Sequence, residues 1–277
     1  MNDITIILPV HLLDDTVKDY VENAINSVEG NQNNYDGGKL KVLIVSPTSV
    51  YEDVKGFVSE KSFDIEVECV ENKGETDYCS QVNCAVDEVK TEYFSILEFD
   101  DEYTPKWFKI AKDYHFGNEE ISVFLPVNLF HDGNGKNWQY GNTMALSPMF
   151  MTSDSNDDDD IGIINFNRLE NCSLFNLTGA IFNTDDFKSV GRYKPSIQVA
   201  FNYEFLLRLT KKGLKAMVVP KEGYIHAMGR PGSLTLDYLN SMTDAERSKW
   251  FALAQRECIY EEDRKKTIST VKEEELK

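Results

Sequence analysis

The chain has 277 residues, 41% hydrophobic and 27% charged, an ordinary globular composition that excludes disorder, collagen and coiled coil as descriptions of the whole. With 29 basic against 47 acidic residues the formal net charge is −18, so the diffuse basic footprint of a nucleic-acid binder is missing and nucleic acid is not expected as a partner. The apolar runs fall well short of the ~20 residues that span a bilayer, and the acidic start Met1-Asn2-Asp3 does not read as a secretory signal.

In chain order, Ile4 to Val10 is β-rich and stops at Pro9. Asp14 to Val28 places Val17, Val21, Ala24, Ile25 and Val28 at helical spacing. Asn31 to Gly38 reads as a polar turn, Leu40 to Val45 as a strand, Val50 to Val58 as a helix and Phe63 to Val70 as a strand. Ser80 to Val89 is helical and Tyr93 to Phe99 is a further strand. Strands alternating with such helices predict βαβ units in a mostly parallel sheet, with ligands at the carboxyl ends of its strands. From about Gly117 the rhythm changes. Ser122 to Asn128 and Ala145 to Met151 read as strands, and Asp154 to Asp160 is a charge run. It echoes a calcium loop but lacks the required Gly and distal Glu. Gly179 to Asn183 reads as a strand, Phe201 to Lys212 as a helix ended by Gly213, and Leu214 to Pro220 as a strand. Thr243-Asp-Ala-Glu246 is a capping box opening a helix through Cys258. The expected class is α/β: a Rossmann-like, mostly parallel sheet flanked by helices, with a C-terminal helical extension.

Cys69, Cys79, Cys84, Cys172 and Cys258 are odd in number and lack Cys-x-x-Cys spacing. They read as reduced thiols, which points to the cytoplasm. The acidic, Asn-rich style suits a bacterial or phage-encoded chain.

The strongest chemical signal is Glu98-Phe99-Asp100-Asp101-Glu102, at the end of the strand from Tyr93. Period 2 along an extended segment puts Glu98 and Asp100 on one side. Two carboxylates leaving a buried strand need positive charge, and a hard divalent cation, Mn2+ or Mg2+, is a natural partner. An acidic surface turn with no ligand is the alternative. Trp107 and Trp138 suit either an acceptor sugar site or the core.

Several pieces, in this order, resemble family 2 glycosyltransferases. They are Ile6-Ile7-Leu8-Pro9-Val10, Asn72-Lys73-Gly74, Asn83 with Ala85, Glu92-Tyr93-Phe94, Leu97-Glu98-Phe99-Asp100-Asp101 and Pro105. Gly179-Ala180-Ile181-Phe182, Val190-Gly191-Arg192-Tyr193 and Tyr203 to Leu209 continue the pattern, which covers roughly residues 3 to 235. The resemblance implies a glycosyltransferase-A fold over 1–238, with a nucleotide-binding half (1–116), an acceptor half (117–238) and a helical extension (239–277). It implies a nucleotide-sugar donor, a divalent cation at Glu98 and Asp100, and a glycan or other hydroxyl acceptor. Pro9, Val10, His11, Ser46, Asn72 and Asn83 fall at the family's nucleotide-binding positions, and Arg230 lies in a Gly-Arg-Pro-Gly loop suited to closing over a diphosphate. His226 follows a strand where some transferases of this fold carry a further metal ligand.

Three positions depart from the pattern. Glu98 replaces the leading Asp of D-x-D. The acidic residue after the second strand falls at Ser46-Pro47-Thr48. The family's E-D pair that supplies the base aligns with Phe201-Asn202, and Glu204 lies two residues on. An amide takes no proton at neutral pH, so the catalytic candidates are Asn202 as an orienting group and Glu204 as a displaced base; Asp185 and Asp186 are further acids. Two classes of function follow: an active metal-dependent glycosyltransferase, or a degenerate fold kept as a binding or structural subunit.

Overall fold

The computed structural model describes residues 1–132, 137–147, 161–197, 199–228, 241–256 and 258. Arg230, the Asp154–Asp160 run and the tail beyond Cys258 lie outside them. β1 (Ile4–Pro9) is buried along its whole length. Asp14 caps α1 (Asp15–Gln32) by accepting from the Val17 N–H, and Val17, Val21, Ala24, Ile25 and Val28 face the sheet. β2 (Leu40–Pro47), α2 (Thr48–Glu60), β3 (Glu66–Asn72), α3 (Tyr78–Glu88) and β4 (Tyr93–Ile96) complete the first half. Then come β5 (Glu102–Tyr103), α4 (Trp107–His115), β6 (Ile121–His131), β7 (Gln139–Gly141), β8 (Ile163–Ile164) and α5 (Phe166–Asn171). β9 (Ile181–Asn183), α6 (Thr184–Ser189), α7 (Phe201–Lys211) and β10 (Lys215–Ala227) follow, with a last helix α8 over 244–256.

All ten strands join one sheet in the order β3-β2-β1-β4-β9-β6-β10-β5, with β7 on β6 and β8 on β10. The first four run parallel, as expected. Beyond them the sheet is mixed, because β9 runs antiparallel to both β4 and β6. Ile4 is level with Leu40 and with Tyr93, so these strands start together and end on one rim. There the Val10 N–H donates to Val45 O and the Leu97 N–H to Ile7 O, each at 2.9 Å. Strand order reverses between β1 and β4, the place where open α/β sheets leave a crevice for ligands. One face buries Ile6, Leu8 and Ile44 against α1 and α4, and the other buries Ile7, Leu43 and Ile96 against α3 and α7. α8 joins the second face, with the Phe251 ring 5.9 Å from Tyr203.

Two local expectations fail for identifiable reasons. The Asn31 turn is instead the last turn of α1: Asn31 is buried and its side-chain N–H groups donate to Ser27 O at 2.9 Å and Thr104 O at 3.0 Å. That tertiary bond to Thr104 overrides a turn-like composition. The strand expected from Ala145 begins as a 3₁₀ turn, Thr143–Leu146, whose Ala145 O accepts from the Gly162 N–H.

Gly179 is a backbone joint of the fold. It has φ +74°, and a Cβ there would lie 2.4 Å from the Tyr224 ring. Gly179→Ala combines left-handed strain with overpacking, each about 1–3 kcal/mol. The urea midpoint should fall with the m value unchanged; an unshifted midpoint contradicts the packing described here.

Candidate active site

β4 stops at Ile96, earlier than the sequence reading, and Glu98–Asp101 folds as a turn closed by the Asp101 N–H to Glu98 O at 3.0 Å. A turn juxtaposes its first and fourth residues, so the period-2 pairing of Glu98 with Asp100 does not apply. Glu98, Asp101 and His226 instead offer ligand atoms that all lie within 4.8 Å of one another. Asp100 is half-buried in the same turn, outside that cluster. The missed residue is Asp101, and its i+3 spacing from Glu98 was the available signal.

Asp101 is buried. Its Oδ2 lies 2.7 Å from His226 Nδ1 and its Oδ1 accepts the Ala227 N–H at 3.1 Å. The Tyr224 hydroxyl accepts the Glu98 N–H at 3.0 Å and also hydrogen-bonds Asp101. Tyr224 thus ties the turn to β10, a role with no mark in the sequence. Burial alone would lower the His226 pKa, but Asp101, with Glu98 and Asp100, holds it up at about 9. Two carboxylates and an imidazole fit Mn2+ or Mg2+ in donor type, and the imidazole would have to be neutral to ligate.

The other candidates divide by position. Pro9 and Val10 are buried at the end of β1, and the half-buried His11 ring packs 5.4 Å from Phe99, beside the acidic turn. Ser46 is buried at the end of β2, and its Oγ has no hydrogen-bond partner among the described residues. Asn72 folds onto its own loop, its amide donating to Glu75 O at 2.8 Å and accepting from the Gly74 N–H at 3.0 Å. Asn83 clamps Tyr193 at both backbone groups, donating to its O at 2.8 Å and accepting its N–H at 3.1 Å. Both amides are engaged in holding loops rather than turned to a ligand. Trp107 is a core residue whose Nε1 donates to Gly179 O at 3.0 Å, whereas Trp138 is exposed.

Asn202 is half-buried in the first turn of α7, where the preceding Phe201 ring meets Tyr78 at 5.5 Å and Tyr193 at 5.2 Å. Burial raises both phenol pKa values well above the usual range, and the Glu98 charge raises them further. The Glu204 carboxylate is engaged in an ion pair. It is fully buried and holds Arg208 by two bonds of 2.6 and 2.8 Å, with Lys194 at 3.0 Å. Arg208 in turn donates to Val190 O and Arg192 O, fixing the turn that carries Tyr193. Asp185 and Asp186 begin α6 after β9, whose end pairs with the start of β4 (Asn183 with Tyr93), on the rim opposite Glu98.

The sequence matches the family model described as glycosyl transferase family 2 over residues 5–178. No curated protein matches it by sequence. Among solved structures, S. aureus TarS 1–349 in complex with UDP-GlcNAc aligns with a TM-score of 0.62 at 13% identity, over 92% of this chain and 72% of that one. The UDP complex of TarS 1–349 gives 0.57 at 14%, over 83% and 61%. Mannosyltransferase PcManGT from Pyrobaculum calidifontis, in complex with GDP-Man and Mn2+, gives 0.60 at 14%, over 91% and 64%. The chain therefore spans 61% of the first TarS structure and 43% of the longer one. At these identities the likeness establishes the fold. No helix among the described residues is long and apolar enough to cross a membrane.

Proposed function

The chain belongs to glycosyl transferase family 2, and from that premise we propose that it moves a sugar from a nucleotide-sugar donor to an acceptor hydroxyl, in the cytoplasm and with Mn2+ or Mg2+. The observation that carries this reading is the Glu98–Asp101–His226 cluster, formed by the turn after the carboxyl end of β4 and by β10. The donors bound by the neighbours make a UDP- or GDP-sugar the first choice.

Glu98 and Asp101 would hold the cation through carboxylate oxygens and His226 through its imidazole. When bound, the cation offsets the charge that grows on the departing diphosphate. The His11 ring, packed on Phe99, offers a face for the base, and Pro9 and Ser46 shape the nucleotide edge. Asn202 orients the acceptor hydroxyl. Its amide accepts no proton, so the chain's own residues leave the general-base step weak. General-base loss typically costs ~10²–10⁴-fold in rate. Asn202→Asp is therefore expected to raise transfer or donor hydrolysis by a factor within that range, read as nucleoside diphosphate released. An unchanged or lower rate removes the slowed inverting enzyme from consideration.

A second reading, a retired fold kept as a binding subunit, is favoured by Asn202 at the base position and by Glu204 sealed against Arg208. Release of nucleoside diphosphate from a panel of UDP- and GDP-sugars, with Mn2+ or Mg2+, separates the two. Metal-dependent turnover supports the enzyme; none from wild type or from Asn202→Asp supports the binding subunit.

A further inference from the structure

The neighbouring strands β1, β2 and β3 end on the rim in a row of three dissimilar groups. Pro9 is level with Val45, and Ser46 with Glu71, so Val10, Ser46 and Glu71 lie side by side. Ile44 and Cys69 pack on the α1 face of the sheet. Side chains alternate along a strand, so Ser46 and Glu71, two residues further on, belong to that face too. Phe99, which the His11 ring touches, packs on the same face. Ser46 is fully buried, and its hydroxyl has no hydrogen-bond partner among the described residues. A buried hydroxyl left unpaired costs free energy that a ligand can recover.

Glu71 is the charged member of the row. Its side chain is 24% exposed, so a ligand reaches it. The Thr48 hydroxyl donates to Oε1 at 2.9 Å, and the exposed Lys73 lies 3.3 Å from Oε2. The Thr48 bond holds the carboxyl below its ordinary pKa, so the group stays ionised near neutral pH. An ionised carboxylate only accepts, at about four lone-pair sites, so each oxygen keeps one for a further donor.

A nucleotide held by a cation at Glu98, Asp101 and His226 extends along this rim. β3 lies three strand spacings from β4, about 14 Å. The diphosphate and ribose take up the first part of that span, which carries the base past the His11 ring and level with β2 and β3. The bases differ in what they offer there. Guanine alone presents two adjacent N–H donors on one edge, N1–H and the N2 amino group, with the O6 acceptor beside them. Uracil presents a single N3–H flanked by two carbonyl oxygens, which a carboxylate repels. Adenine and cytosine pair one donor with an acceptor. Glu71 can take both guanine donors in a fork, and Ser46, about 4.8 Å away on the next strand, can donate to O6. We propose that the donor is a guanosine-diphosphate sugar and that Glu71, with Ser46, selects its base. This rests on the transfer reading above and names its nucleotide.

The test is calorimetric titration of the full chain, with Mn2+ present, by GDP, UDP and inosine diphosphate, the last lacking only the N2 amino group of GDP. GDP is expected to bind about tenfold or more tightly than either, the size of one hydrogen bond to a charged group. Glu71→Gln, which keeps an oxygen for Thr48, should weaken GDP by a similar factor and bring GDP and inosine diphosphate together. Its melting temperature without nucleotide, and its affinity for Mn2+ alone, should match wild type. Three results overturn the proposal: UDP binding more tightly than GDP, GDP and inosine diphosphate binding wild type equally, or a GDP affinity indifferent to Glu71→Gln. An equal loss for all three nucleotides in Glu71→Gln also overturns it, because it places Glu71 on the shared ribose. Mn2+-dependent binding of none of the three overturns the transfer reading as well.

Discussion

Replacing Arg208 with alanine is expected to lower the unfolding free energy by about 3–5 kcal/mol, because it leaves a buried carboxylate without its main partner. Glu204 is fully buried, and Arg208 meets it with two hydrogen bonds in fork geometry. Lys194, at 3.0 Å from the same carboxylate, keeps the loss toward the lower end. The variant also frees the carbonyls of Val190 and Arg192, so the turn before Tyr193 loses its tie to α7. Urea unfolding followed by far-UV circular dichroism measures the loss. A neutral, apolar pair in the double variant Glu204→Leu/Arg208→Met should recover much of it, since the penalty comes from the orphaned charge. A single-variant loss below about 1 kcal/mol, the range of an exposed pair, contradicts the buried pairing described here.

The second large effect concerns the cation. Asp101→Asn keeps the shape of the side chain and an oxygen for the Ala227 N–H, but it removes the charge that faces His226. Losing even an outer partner of a metal ligand typically weakens binding ~10–100-fold, and Asp101 touches His226 directly. Titration of Mn2+ followed by the resonance of the free ion should show at least that loss relative to wild type. Asp100→Asn should cost less, because Asp100 lies outside the cluster of ligand atoms. The reverse ranking restores the Glu98–Asp100 pairing that strand periodicity suggests.

The β1, β2 and β4 strands were legible because each is a near-continuous apolar run between helices, the pattern of a parallel sheet covered on both faces. The level register that brings Pro9, Ser46 and the acidic turn to one rim followed from the same topology. The acidic cluster was legible as chemistry but not as geometry. Where a strand becomes a turn, two residues apart ceases to mean same side, and Asp101 replaces Asp100. Glu204 and Asn83 mark a second limit. Polar residues near a site look functional in a sequence, but their partners are distant in the chain: the Val190–Lys194 segment for one and Tyr193 for the other. Only the tertiary structure shows that those groups are already engaged. Tyr224 had no sequence signal, since its role depends on Gly179 letting its ring approach and on the Glu98 N–H reaching its hydroxyl.

The most direct measurement is the melting temperature of the wild-type chain with UDP and GDP, each with Mn2+ and with chelator. A ligand that binds only the native state at a hundredfold excess over its Kd adds about 2.7 kcal/mol, which for a chain of this size is a shift of roughly 5 °C or more. That shift is expected for one of the two nucleotides with Mn2+, with its loss on adding chelator and its loss in Asp101→Asn. An equal shift with and without Mn2+, or no shift with either nucleotide, contradicts a cation-held nucleotide site at Glu98, Asp101 and His226.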